Sequence, residues 1–423
     1  MKEKDLYRKT SLNEVKIISE KVPGFKSVAI GAFLLRGARD EDEELSGITH
    51  FIEHMIFKGT KKRSSYEISK EIEDRGGIID AFTAKEMMAV YSKILGENLE
   101  IATDVIGDLF SNPLFKEEDV EKEKNVVLEE YKEFLDDPEE VMNSLVYEAL
   151  FPFHPLAKEI LGKEDTIKNF KREKVLNYYE KIYKPENLII IGVGDIEHEK
   201  FIEEVEKNFI FKKSGEVPER NYFPFKKPTI KYKVYPHLNQ IQCTIAFRTF
   251  GFKDKRRYHL MVSNSVIGGN MSSRLFQKLR EEKGIVYTIS SFVDFHSDTG
   301  IFGISFSTSP KNLKETIKAI QREIKNLKEK GLSEEEIERA KSFSLGHLAI
   351  SLEDTGTRLV RLANLEIYLN EYLSIEEVIN EIKNMKLKDV NETLNEIINE
   401  ERKGISASLP SEEYLDILNF KLT

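Results

Sequence analysis

The chain has 423 residues, with 64 Lys and Arg against 74 Asp and Glu and a net charge of −10. The charges are scattered rather than blocked, which argues against a nucleic-acid partner and favours a basic or neutral peptide. One cysteine excludes an intramolecular disulfide. No stretch approaches the ~20 apolar residues of a bilayer span, and the opening Met-Lys-Glu-Lys-Asp-Leu-Tyr-Arg lacks the apolar core of a secretory signal. The expectation is a soluble cytoplasmic protein with no membrane partner, in two domains that each bury a core.

In chain order, Val28 to Leu35 reads as a strand. The pentapeptide His50-Phe51-Ile52-Glu53-His54 follows. Two histidines four apart share one helix face, so both imidazoles can bind a single ion. Glu53 precedes the second histidine, where its carboxylate can reach a water on that ion. This is the equipment of a zinc hydrolase, with one Zn2+ per chain: the metal lowers the water's pKa and the carboxylate takes its proton. With 8 histidines in the chain, a chance match is on the order of a few per cent. The bland alternative is a surface helix with two coincidental histidines.

A third ligand must come from another element, because two residues on one helix cannot enclose an ion. Glu117 to Tyr131 reads as a helix with an acidic first turn and Val120, Val127, Leu128 and Tyr131 at helical spacing. It offers several carboxylates. Neighbours on a helix point about 100° apart, so only one of Glu129 and Glu130 can face the metal, and geometry alone leaves the choice open. Lys213 through Pro228, rich in Pro and Gly, reads as a linker. Cys243 lies in an apolar strand-like run and reads as a buried small hydrophobe. Leu313, Ile317, Ile320, Ile324 and Leu327 form a core-facing stripe on a helix.

The two halves read as diverged copies. Ile68 to Thr83 aligns without gaps to Leu275 to Ser290, each running helix, Gly (Gly77 and Gly284), then strand. Phe115-Lys-Glu-Glu-Asp-Val-Glu is similar to Leu332-Ser-Glu-Glu-Glu-Ile-Glu. A repeat this long indicates duplicated domains rather than a solenoid. The second copy has no metal motif. At the place expected for the zinc helix stands Ile267-Gly-Gly-Asn-Met-Ser-Ser-Arg274, and His347 stands opposite Glu130.

On these residues the chain resembles the M16 metallopeptidases, the inverzincin family of pitrilysin, insulin-degrading enzyme and the mitochondrial processing peptidase, over nearly its whole length. The order H-x-x-E-H is the family's motif. The resemblance implies Glu130, 76 positions after His54, as the third ligand and Glu123, two turns earlier, as its supporting glutamate. Asp80-Ala81-Phe82-Thr83 looks like the family's N-A-x-T strand, which binds substrate backbone along a sheet edge; Asp80 departs from the usual Asn. His154-Pro-Leu-Ala-Lys-Glu-Ile-Leu-Gly162 matches the family's HPLG-x-x-ILG segment with Ala157 for Gly, which makes His154 structural rather than a ligand. Asn187 to Asp195 looks like the strand and turn closing the first domain. Arg280 and Tyr287 match the family's R-x6-Y pair, in which the arginine holds substrate backbone and the tyrosine donates to the developing oxyanion.

The fold this implies is α+β: two duplicated domains of the LuxS/processing-peptidase-like metallohydrolase type, each a mostly antiparallel sheet packed against helices. The expected boundaries are a zinc-binding catalytic domain at 1–213, a linker at 214–228 and an inactive duplicate at 229–423. The expected activity is a zinc-dependent endopeptidase or oligopeptidase acting on peptides or unfolded polypeptides in the closed chamber of a homodimer, with Arg280 and Tyr287 acting in trans. The rivals are a catalytically silent partner subunit of the same fold and a zinc amidohydrolase of small molecules.

Overall fold

A computed structural model describes residues 6–211 and 224–422. Residues 212–223 of the expected linker therefore lie outside the described residues, and 224–228 run without regular structure. The strands are β1 (Tyr7–Leu12), β2 (Val15–Lys21), β3 (Ser27–Leu34), β4 (Ile78–Thr83), β5 (Met88–Leu95), β6 (Leu188–Gly194), β7 (Ile230–Val234), β8 (Ile241–Phe250), β9 (Thr288–Phe295), β10 (Thr299–Thr308) and β11 (Lys403–Leu409). Among the described residues they form two sheets, ordered β1-β2-β6-β3-β5-β4 and β7-β11-β8-β10-β9.

With β1 set aside the two orders are the same, and so are the senses. β2 pairs with β6 in parallel as β7 does with β11, and every other neighbour is antiparallel. Identical topology in both halves is what a duplication produces.

The first half carries helices α1 (Ile48–Ile56), α2 (Ser65–Glu73), α3 (Leu99–Ser111), α4 (Glu117–Asp136) and α5 (Pro138–Leu150). The strand β3 shows why tertiary context matters for reading a sequence. Val28, Ile30, Ala32 and Leu34 pack into the core with α1 and α3. Its other face is also buried, under the helix Thr355–Leu369. A strand covered on both sides reads as an unbroken apolar run without alternation.

The chain packs into two compact units, and neither is continuous. One comprises 1–132, 158–222 and 351–374; the other comprises 133–157, 223–350 and 375–423. Helix α5 packs on β7, β8 and β11 of the second sheet, whereas Thr355–Leu369 packs on β3 and β6 of the first. These helices begin 217 positions apart, the same offset that relates Phe115 to Leu332. The copies have thus exchanged equivalent helices. The expected boundaries at 213 and 229 follow the repeats, whereas packing divides the chain elsewhere, because each helix buries its apolar face on the other copy's sheet. The exchanged helix is tied to its sheet by buried Glu366, whose Oε1 lies 2.7 Å from both Lys9 and Lys16 Nζ.

The second unit's counterpart of α1 is the helix Arg257–Ile267, which packs on β9 as α1 packs on β4. The expected location, Ile267 to Arg274, instead runs from the last residue of this helix through the turn at 268–273 that follows it. In both copies a connection separates this helix from the next, so residues directly ahead of the aligned segment fall in that connection. The counterpart helix holds His259, bonded to Thr393 Oγ1 at 2.8 Å, and no second histidine. His347 lies on the helix Glu334–Ser351.

Candidate metal centre

Helix α1 is buried over most of its circumference, with Ile48, Phe51, Ile52, Met55 and Ile56 inaccessible. His50, Glu53 and His54 fall on the remaining strip, as their spacing requires. Helix α4 passes this strip with Val120 and Val127 buried in the core. That register turns Glu123 and Glu130, two helical turns apart, toward the histidines, and leaves the Glu129 side chain 70% exposed and paired with Lys132. The tertiary packing thus turns Glu130, and not Glu129, toward the histidines.

Among the described residues, His50, His54 and Glu130 are the group whose ligand atoms converge, all within 4.8 Å of one another. The two Nε2 atoms are 3.2 Å apart. Glu130 Oε1 lies 3.6 Å from His50 Nε2, and its Oε2 lies 3.5 Å from His54 Nε2. A tetrahedral ion with bonds of about 2.0–2.1 Å has ligand–ligand edges of about 3.3 Å. Each histidine thus has a different Glu130 oxygen near that edge length, and the three residues are close enough together to converge on one ion.

Behind His54 the support is direct. Glu123 Oε1 lies 2.9 Å from His54 Nδ1, and Glu123 Oε2 lies 2.6 Å from Lys58 Nζ. With the proton on Nδ1, the His54 Nε2 lone pair faces His50 and Glu130. Burial pushes the Glu123 carboxyl up, but its bonds to His54 and Lys58 outweigh this and hold it below its ordinary value. Burial likewise lowers His54, yet the Glu123 bond and the charges of Glu130 and Glu53 raise it overall. His50, more buried and beside His54, is pushed down to about 3. Burial raises the Glu53 carboxyl against the Thr83 hydroxyl, which donates to Glu53 Oε2.

The site opens into a cavity of about 310 Å3 whose walls include Glu53, His54, Lys58, Asp80, Ala81 and Glu123. Ala81 and Asp80 belong to β4, which among the described residues pairs on one side only, with β5. Its other edge is open. There Ala81 N–H donates to Asp80 Oδ1 at 2.8 Å, and Tyr91 OH donates to Asp80 Oδ2 at 3.2 Å. Phe82 packs obliquely on Tyr91.

Arg280 and Tyr287 lie in the other compact unit. Arg280 sits on a π-helix, Phe276–Glu282, with its guanidinium 5.0 Å from the Phe276 ring centre. π-Helices are rare and concentrate at functional positions. Tyr287 stands one residue before β9 and is 71% exposed. His154, also in that unit, is buried and accepts from Leu156 N–H at 3.2 Å. Cys243 is fully buried on β8. Sequence reasoning passed over Lys58, which stands two residues beyond the end of α1 and pairs with Glu123. It also passed over Thr83 as the partner of Glu53, which only the approach of β4 to α1 reveals.

Residues 16–164 match the sequence model of insulinase, peptidase family M16, and residues 169–343 match that of the peptidase M16 inactive domain. An uncharacterized zinc protease of Bacillus subtilis is 35% identical over 397 residues, covering 93% of this chain and 96% of the relative. The chain belongs to peptidase family M16. Among solved structures, a protease from Helicobacter pylori matches this M16 chain with a TM-score of 0.88 at 20% identity, covering 96% of this chain and 99% of the other. A structure from Pseudomonas fluorescens described as a peptidase M16 inactive domain matches equally, with a TM-score of 0.88 at 18% identity over 96% and 98%. These likenesses show the shared fold. No helix among the described residues is long and apolar enough to cross a membrane.

Proposed function

We propose that this M16 chain is a zinc-dependent endopeptidase or oligopeptidase that cuts peptides and unfolded polypeptides. The observation that carries this reading is the convergence of the His50, His54 and Glu130 ligand atoms, all within 4.8 Å of one another, beside a carboxylate oriented by Thr83. His50, His54 and Glu130 hold the ion and Glu123 orients His54. When bound, zinc supplies Lewis acidity, polarising the scissile carbonyl and bringing a water's pKa toward neutrality. Glu53 takes the proton as that water attacks and returns it to the leaving amine. Thr83 keeps the Glu53 carboxylate turned into the site.

The open edge of β4 receives an extended substrate as an added strand, with Asp80, Ala81 and Phe82 along it. Backbone hydrogen bonds then supply affinity with little sequence selectivity. By resemblance, Arg280 holds substrate backbone and the Tyr287 hydroxyl donates to the oxyanion. We assign the catalytic role to the copy spanning 1–213 and the Arg/Tyr pair to the copy at 229–423, joined by 214–228. We further propose a cytoplasmic homodimer that encloses a chamber, in which each Arg/Tyr pair serves the partner's zinc.

A silent partner subunit would not need three ligands and a base in register, and a small-molecule amidohydrolase would not need an open strand edge. The test uses a quenched peptide with and without chelator. Glu53→Gln should bind zinc as the parent does and lose several orders of magnitude in turnover. Peptide cleavage by a zinc-loaded Glu53→Gln protein, or cleavage of small amides but no peptide, would overturn the reading.

A further inference from the structure

The two histidines are held differently. His54 donates its Nδ1–H to Glu123 Oε1, the usual way a ligand imidazole is oriented. His50 has no such support: its Nδ1 is buried without a hydrogen-bond partner among the described residues. With no hydrogen bond to turn it, the direction of the His50 ring depends on its backbone, the first turn of α1, together with its edge-on packing against His54.

That turn is held from outside the helix. A helix start leaves its first N–H groups unpaired and carries partial positive charge. Here the Gly47 N–H donates to Glu41 Oε2 at 2.7 Å and the Thr49 N–H donates to Glu41 Oε1 at 2.8 Å. Thr49 immediately precedes His50. Glu41 is 2% exposed, so these charge-assisted bonds face no competing water.

The surroundings fix the clamp in place. Lys158 Nζ donates to the Glu41 carbonyl oxygen, and Thr166 Oγ1 donates to the Ser46 carbonyl oxygen at 2.7 Å. Gly47 has φ +90°, and a Cβ there would stand 2.5 Å from the Leu161 carbonyl oxygen. Gly162, with φ +83°, would carry a Cβ 2.4 Å from the Ser46 carbonyl oxygen. The two glycines lie back to back, which accounts for the glycine closing the His154–Gly162 motif.

We propose that Glu41 is a positioning residue of the metal centre: by clamping the first turn of α1 it sets the direction in which His50 presents Nε2 to the ion. This rests on the reading that His50, His54 and Glu130 bind zinc. Burial pushes the Glu41 carboxyl up to about 7, while the bonds from Thr49 and Gly47 and the charge of Lys158 pull it back, so the measurement belongs above that pH.

Zinc affinity of Glu41→Gln should be measured by chelator competition at pH 8, with the visible spectrum of the cobalt-substituted protein as a second readout. The expected result is about tenfold weaker zinc binding and a shifted cobalt band in a folded protein. Arg358→Met, which breaks an ion pair with buried Glu20 away from α1, serves as the control. It should lower the melting temperature and leave zinc affinity and the cobalt band unchanged. Glu41→Asp keeps the charge but is one methylene too short to span both N–H groups; it should also bind zinc more weakly, and supplies the same comparison if the Gln variant does not fold. A folded Glu41 variant with parental affinity and spectrum would overturn this inference alone, whereas a parent protein that binds no zinc would overturn the metal reading with it.

Discussion

Replacing Glu123 tests how the second histidine is prepared for metal. Its carboxylate is 3% exposed and bonds His54 Nδ1 at 2.9 Å and Lys58 Nζ at 2.6 Å. Glu123→Gln keeps an acceptor for the His54 N–H but removes the charge; Glu123→Ala removes both. A hydrogen bond to a charged group contributes about 1.5–3 kcal/mol. Outer partners of metal-bound histidines affect affinity by about 10–100-fold, equivalent to about 1.4–2.7 kcal/mol. The two ranges overlap, so about tenfold weaker zinc binding is expected for Gln and about a hundredfold for Ala. Lys58, with 36% of its side chain exposed, regains water when its partner is lost, so the protein should stay folded. Chelator competition at pH 7.5, with circular dichroism on the same samples, gives the comparison. A folded Glu123→Ala protein that binds zinc within twofold of the parent would refute the reasoning.

Two further outcomes follow from the arrangement. If Arg280 and Tyr287 serve the partner's zinc, mixing Glu53→Gln chains with Tyr287→Phe chains at 1:1 under free exchange should restore about a quarter of parental activity; no recovery despite verified exchange would refute a site shared between chains. Glu336 responds to pH: burial alone would raise it, but bonds from Arg274 and the Ser333 N–H lower it to about 2. A carboxylate lowered by folding stabilises above its unfolded pKa near 4.3, and that contribution disappears as pH falls toward 2. Allowing for its partial exposure, about 2 kcal/mol should be lost between pH 5 and 2. Urea titrations should show a flatter acid dependence for Glu336→Gln, and equal slopes would count against the assignment.

Local chemistry made much of this protein legible from its sequence. The α1 motif depends on a helical spacing of four, which places two imidazoles on one face wherever that helix sits. The duplication was visible because helix, glycine and strand recur in the same order, and each is dictated by neighbours a few residues away. The apolar stripe from Leu313 to Leu327 marked a core helix for the same reason. What the sequence could not yield depends on elements far apart in the chain. Only the packing of Val120 and Val127 turns Glu130 rather than Glu129 toward the histidines. The exchange of α5 with Thr355–Leu369 is a choice between two sheets of the same topology, and periodicity within a helix cannot tell which one it covers. Glu41, with nothing in its own segment to mark it, meets the first turn of α1 only when the fold buries its carboxylate against the Gly47 and Thr49 N–H groups. Spacing along one helix is set by covalent geometry, whereas the burial of a charge and the partner of a face are set by what the rest of the chain brings beside them.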